Sequence, residues 1–305
     1  MLTFATFPDK FLRKRKPFYE VESLIIYEGM ATVVSGIAFP ECMRWRDGQL
    51  WFSDVLAGRI YRWEPQSSQN IEVARLPCMA GGLGWTKNGE LLAVEAENRK
   101  VVSVDKYGGL APFLDLSNEW EHPANDMLVE ADETIWIGGY GYDPETEAPQ
   151  VSSLARYRSG VLDFPIGDLV FPNGIARIDE RHLVVAETFA DRLAILETLP
   201  SGEVRISKRI ELPSNASPDG LTMDVEGNIW VASAFDEAVL KVNPKTGEVE
   251  RAIEIPGKGV FDCTFGGEDM TTLFIATSGK DESRILIDLP GEILALSVGV
   301  QGKLK

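Results

Sequence analysis

A turn followed by an apolar strand, often carrying Trp or Phe, recurs six times along the 305-residue chain. It reads Asp47-Gly-Gln-Leu-Trp-Phe, Asn88-Gly-Glu-Leu-Leu, Asp132-Glu-Thr-Ile-Trp-Ile, Asp179-Glu-Arg-His-Leu-Val-Val, Glu226-Gly-Asn-Ile-Trp-Val and Asp269-Met-Thr-Thr-Leu-Phe-Ile, with first residues separated by 41, 44, 47, 47 and 43. A period in this range means that one unit cannot bury its apolar faces alone and must stack on its neighbours. Each unit continues with a polar stretch such as Leu56-Ala-Gly-Arg or Phe235-Asp-Glu-Ala, then a second β-rich run such as Ile60-Tyr-Arg-Trp or Val239-Leu-Lys-Val, and often a turn such as Asn243-Pro-Lys-Thr-Gly. No window sustains a 3.6-residue period, and the helices or Leu/Asn ladders of a solenoid are missing. About four short strands per unit describe a propeller blade. The expected fold is all-β, a six-bladed β-propeller forming a single domain over 1–305, with 1–20 as an N-terminal arm. The runs 21–26 and 292–298 are expected to pair in one blade and close the ring.

At 44% hydrophobic and 25% charged residues the chain is too apolar for disorder. No run of about 18 apolar residues offers a membrane span. The formal charge of −17 repels phosphate backbones and anionic bilayers, so the expected partner is a small molecule, a cation or a protein, with no nucleic acid and no membrane. The three cysteines, Cys42, Cys78 and Cys263, form no C-x-x-C pair and no disulfide framework. The basic run 13–16 follows the apolar residues before it, the reverse of a signal peptide. A reducing, cytoplasmic location is expected.

Counting back from each turn reaches the start of the preceding strand, which in a propeller lines the central channel. Glu41 lies 6 residues before Asp47, Asn125 lies 7 before Asp132, Asn173 lies 6 before Asp179 and Asp219 lies 7 before Glu226; Gly81 and Asp262 stand at that depth in the other two units. Rotation about one axis brings equivalent positions towards a common point. Two carboxylates and two amides offer oxygen to a cation and suit Ca²⁺ or Mg²⁺, or the borderline Mn²⁺ and Zn²⁺. Without a cation the carboxylates repel and one holds a proton. The competing reading takes Asn173-Gly174 and Asp219-Gly220 as hairpin turns. Glu41 has no following Gly, and turns already stand at the other end of these strands.

Only two histidines occur. His182 falls in a hairpin turn and reads as a surface residue, whereas His122, three residues before Asn125, is a candidate for the rim of the site or for packing at the strand start. No G-x-S-x-G elbow supports a serine nucleophile. Cys42 and Cys263 are expected to point away from the axis as buried thiols, because side chains alternate along a strand. Trp45, Trp51, Trp136 and Trp230 are expected in the cores between blades. Tyr140, Tyr142 and Trp120 lie in irregular stretches beside the channel mouth and are candidates for substrate contact.

Phe39-Pro-Glu-Cys-Met-Arg-Trp, Asn125-Asp126, Phe171-Pro-Asn-Gly and Ser217-Pro-Asp-Gly-Leu-Thr-Met-Asp with Gly227-Asn-Ile-Trp-Val-Ala, in this order and spacing, resemble the gluconolactonase family that includes senescence marker protein and regucalcin. The resemblance runs over nearly the whole chain. It implies a six-bladed propeller that holds one catalytic divalent metal, Ca²⁺ foremost, and hydrolyses lactones. It places Glu41, Asn173 and Asp219 at the family's metal ligands, and Asn125 at its substrate- or water-contacting amide. Sugar-binding members often carry Arg two residues before the Asn-Asp pair, where this chain has Pro123, and the stretch beginning at Gly139 replaces a short turn. The expected activity is a metal-dependent lactonase, a carboxylic ester hydrolase, with Asp219 as the first candidate for accepting the proton of water and Asp262 and Asp126 next. Two alternatives stand beside it: a metal-dependent esterase or organophosphate hydrolase, like propellers that resemble the chain in fold only, and a non-catalytic calcium-binding propeller.

Overall fold

The computed structural model describes residues 29–279 and 282–303. They form six four-stranded antiparallel sheets. Five blades are continuous in sequence, at 40–75, 80–115, 124–169, 172–211 and 218–254. The sixth joins Gly259–Gly266, Thr272–Ser278 and Gly291–Ser297 to Ala31–Ile37, which runs antiparallel to Gly291–Ser297 and closes the ring. The strand that closes the ring is Ala31–Ile37; the expected run 21–26 lies outside the described residues. Only Val34 and Ile37 of this outermost strand are buried, so its apolar signal is weak.

The repeated turns owe their shape to acidic side chains. In blade 5 the buried Asp224 carboxylate accepts the Asn228 N–H at 2.8 Å and the Trp230 indole N–H at 2.9 Å, while Gly227 takes φ +89° between them. Blade 3 repeats the device, with Glu130 accepting from the Trp136 indole at 2.9 Å. The indole thus buries its apolar body and keeps its N–H paired. At roughly 200 Å² removed from water and about 25 cal/mol per Å², each such ring contributes on the order of 5 kcal/mol before its entropy cost.

The apolar core is divided into six clusters, one at each interface between neighbouring blades. Trp136 and Trp230 are fully buried in theirs, and Trp45 and Trp51 pack against theirs. The axis is left for polar residues. A seventh, smaller cluster lies at one end of the channel, where Phe39, Phe261 and Ala234 meet Ile285 of a short helix, Glu282–Asp288. That helix is too short to leave a periodic signature in the sequence. Among the described residues no helix is long and apolar enough to cross a membrane.

Candidate active site

The innermost strands are Pro40–Arg46, Ala80–Trp85, Ala124–Val129, Pro172–Arg177, Pro218–Met223 and Gly259–Gly266. In blades 2 to 5 the second and third residues of the strand stand opposite a single residue of the next strand, a bulge at one repeated depth. These bulge pairs are Gly81-Gly82, Asn125-Asp126, Asn173-Gly174 and Asp219-Gly220. Blade 1 takes its extra residue just after Glu41, at Cys42, whose φ is +53°. Gly174 and Gly220 are therefore strand residues and not hairpin turns, and neither has positive φ. Close approach of the neighbouring blade demands glycine there: a Cβ on Gly174 would lie 2.4 Å from the Asp219 carbonyl oxygen, and one on Gly220 would lie 1.9 Å from Asp262 Oδ1.

Carboxylates hold the chain just ahead of three of these strands. Asp54 accepts the N–H groups of Ala38 and Phe39 at 3.2 and 2.9 Å, before Pro40-Glu41. Glu187, fully buried and gripped by Arg192 through two 2.8 Å bonds, accepts the Val170 N–H at 2.9 Å, before Pro172-Asn173. Asp191 accepts Asn215 and Ser217 N–H at 2.9 and 2.8 Å, before Pro218-Asp219. Phe171 and Ser217 adopt φ +52° and +42° immediately before a proline, conformations that cost energy and persist only where surrounding bonds impose them.

Two polar layers result. The outer one contains the half-buried Glu41 and the buried Asn125, Asn173 and Asp219. Burial first, then the charges of Asp219, Asp262 and Asp126, push the Glu41 carboxyl well above the usual carboxylate range. Asp219 is raised in the same way by burial, Asp262 and Asp126, and the Asn173 side chain and the Gly220 N–H offset only part of this. Asn125 Nδ2 is buried with no hydrogen-bond partner among the described residues.

The deeper layer holds Asp126 and Asp262. In blade 6 Val260 pairs with Thr277 and Cys263 with Ile275, as Pro218 pairs with Ser233 and Leu221 with Val231 in blade 5. Phe261 thus takes the depth of Asp219, and Asp262 falls one residue deeper than counting from the turn implies. Asp262 accepts the N–H groups of Met43 and Cys263. Asp126 accepts Arg44 at 2.6 Å and the Met127 N–H at 2.8 Å. Arg44, almost fully buried, reaches from blade 1 to blade 3 and also donates to the carbonyls of Met43 at 3.0 Å and Met127 at 2.6 Å. Asp126 and Asp262 are thereby engaged below the mouth, which weakens both as candidates for accepting a proton there. The sequence signal for Arg44 was an arginine inside an innermost strand.

Tyr140 joins the outer layer. Burial and the nearby Glu41 and Asp219 charges raise its hydroxyl far above the ordinary tyrosine value, so it stays a proton donor. Its ring lies 4.3 Å from that of Phe171, which meets Phe189 at 4.8 Å and Tyr142 at 6.0 Å. Tyr142 is 1% exposed and forms part of the wall behind Tyr140. His122 Nε2 lies 3.8 Å from Glu147, in a cavity of about 360 Å³ lined by Glu119, Trp120, Gly141, Glu147 and Ser153 among others. His182 sits at its hairpin against Asp179, 2.9 Å away. Cys42 departs from the expected alternation, because the bulge leaves its thiol in the field of Asp126, Glu41, Arg44 and Asp262; burial raises its pKa and keeps it protonated. Cys263 packs at the interface of blades 5 and 6, 3.4 Å from the Trp230 carbonyl.

Among the described residues no cluster of three His, Cys, Asp or Glu side chains is arranged to hold a metal. The outer layer offers two carboxylates and two amides. Four carboxyl groups in the two layers face one guanidinium, so this donor set fits a hard divalent cation, which would relieve the repulsion raising Glu41 and Asp219.

Residues 39–279 match the family described as SMP-30/Gluconolactonase/LRE-like region. The chain belongs to this family. The match covers all of the channel-mouth residues of this member. Among its relatives, a 6-deoxy-6-sulfogluconolactonase of Pseudomonas putida is 28% identical over 274 residues, covering 86% of this chain and 92% of the relative. A regucalcin of Danio rerio is 36% identical over 247 residues, covering 76% and 80%. The structure of a gluconolactonase from Xanthomonas campestris superposes with a TM-score of 0.72 at 19% identity, covering 99% of this chain and 98% of that one, a likeness of fold.

Proposed function

We propose that this family member is a metal-dependent lactone hydrolase. What carries the reading is that Glu41, Asn125, Asn173 and Asp219 are each the second residue of an innermost strand, in four blades, with the half-buried Glu41 carboxyl within reach of the charge of the buried Asp219. The relatives described as lactonases support it. Glu41, Asn173 and Asp219 would hold one divalent cation through oxygen, Ca²⁺ before Mg²⁺, Mn²⁺ or Zn²⁺, and a structural relative described as a calcium-binding regucalcin accords with that order. Bound there, the cation supplies Lewis acidity to a carbonyl oxygen and makes water a stronger acid.

The side chains do the rest. Asn125 carries an unpaired amide donor that binds an oxygen of the lactone. Asp219 accepts the proton that water loses and returns it to the ring oxygen as the C–O bond breaks, so that one carboxyl group serves both halves of the reaction. Tyr140, held protonated, donates to the same substrate. The rings of Phe171, Phe189 and Tyr142 close one flank against water, which strengthens the polar contacts inside.

The test is metal analysis of the purified protein together with acid release from a panel of lactones, aryl esters and phosphotriesters, with and without chelator. Lactone turnover that chelator removes is the expected result, and metal binding without turnover of any substrate would favour a non-catalytic calcium-binding role instead. Asp219→Ala should lose both metal and activity. Asn125→Ala should lower kcat by about 10²-fold or more while metal affinity changes little. Full activity in Asp219→Ala, or turnover indifferent to chelator, overturns the proposal.

A further inference from the structure

Thr188 opens the 3-10 turn Thr188–Ala190, directly after the second strand of blade 4 ends at Glu187, and is 4% exposed. Its hydroxyl donates to the Pro218 carbonyl at 2.9 Å, and its oxygen lies 3.3 Å from the Asn173 amide. A hydroxyl owns a single proton, and a carbonyl oxygen can only accept one. With that proton committed to Pro218, Thr188 Oγ1 has only lone pairs left for Asn173. The amide must therefore turn its NH₂ end to Thr188, and Oδ1 becomes the end left for a cation.

We propose that Thr188 is a positioning residue for the metal centre, a statement that rests on the metal reading above. It fixes which end of Asn173 faces the cation. Through Pro218 it also ties down the strand that carries Asp219, so that one hydroxyl links the ligands of blades 4 and 5. No titration is involved. Partners that orient a ligand in this way have measurable weight: their loss typically lowers metal affinity by about 10- to 100-fold. Asn173 keeps its hydrogen bond to Asp219 without the hydroxyl, but it loses the contact that holds its NH₂ end away from the cation, and an NH₂ end cannot bind one.

The test is calorimetric titration of the chelator-treated full-length protein with Ca²⁺, repeated with Mn²⁺, for the wild type, Thr188→Val and Thr188→Ser. Melting of each variant in chelator shows that it is folded; if Thr188→Val does not fold, Thr188→Ala takes its place. Affinity in Thr188→Val should fall by about 10- to 100-fold, and Thr188→Ser, which restores the hydroxyl, should recover it. An Asn173→Asp background adds a further check. A carboxylate presents oxygen at both ends, so Thr188→Val should cost less affinity there than in the wild type. Wild-type affinity in Thr188→Val, equal loss in Thr188→Ser, or the same loss in the Asn173→Asp background overturns the positioning role while the metal reading stands. A wild-type protein that binds neither ion overturns the metal reading, and the positioning role with it.

Discussion

Arg44 is the cation that holds the deeper layer of the channel together, and its removal gives a measurable account of that layer. Its guanidinium makes hydrogen bonds to Asp126, Met127 and Met43 with only 7% of its side chain exposed, and the Asp126 side chain is 4% exposed. Arg44→Met keeps much of the volume but leaves the buried Asp126 carboxyl without its partner, near Glu41 and Asp219. Breaking a buried pair from one side costs about 3–5 kcal/mol, because the surviving charge has lost its counter-charge. With an unfolding entropy of about 2.1 cal/mol/K per residue, roughly 0.6 kcal/mol/K for this chain, the melting temperature should fall by roughly 5–8 °C. Neutralising the stranded partner should return most of this, so Arg44→Met with Asp126→Asn should be more stable than Arg44→Met alone. Arg46, which meets Asp47 on the surface with 38% and 83% exposure, is the control: Arg46→Met should cost no more than about 1 kcal/mol. The assay is urea unfolding in chelator, so that metal binding does not mask the difference. An Arg44→Met loss no larger than that of Arg46→Met, or a double variant that loses the sum of the single losses, would refute a buried, coupled pair.

Gly220→Ala forces a Cβ to 1.9 Å from Asp262 Oδ1 and 2.4 Å from its Cγ, so it should destabilise by about 3 kcal/mol or more, whereas Gly167→Ala, with nothing within 4 Å and no positive φ, should be nearly neutral; equal melting of the two would show that blades 5 and 6 do not approach so closely. In chelator the raised pKa values of Glu41 and Asp219 mean that the folded state binds more protons than the unfolded one between the ordinary carboxylate range and the raised values. Their contribution therefore favours folding at the acid end of that window and is lost as pH rises through it. The chelated wild type should gain stability relative to Asp219→Asn as the pH is lowered across this window, and saturating Ca²⁺ should flatten the difference; a chelated difference that grows with rising pH would contradict the direction of both shifts.

Much of this protein was legible before any coordinates. The turn-and-strand period encodes six units because each hairpin is a local matter: Asp224 and Glu130 reach indoles six residues along their own chain. Counting from those turns also found Glu41, Asn125, Asn173 and Asp219, since the distance from turn to channel mouth is covered by a single strand. The count misplaced Asp262 by one residue because the register in blade 6 differs around Phe261, and such bulges answer to the neighbouring blade. Cys42 was expected to point outward for the same reason, as alternation fails where the backbone takes φ +53°. The run 292–298 was legible as a closing strand, whereas its partner Ala31–Ile37 was not singled out because, exposed over most of its length, it carries little apolar signal.

What the chain by itself determined is the blade, its sixfold repetition and the depth at which oxygen-bearing side chains recur, all set by hydrogen bonds and burial within about 45 residues. What only the tertiary structure decided is how those depths are wired across the axis: Arg44 reaching Asp126 some 82 residues on, Asp262 bonding to Met43 across 219, and Thr188 joining Asn173 to Pro218. The physical reason is that a propeller brings distant strands side by side only when the ring closes. A partner supplied by closure leaves no periodic mark on the sequence, however strongly it governs the site.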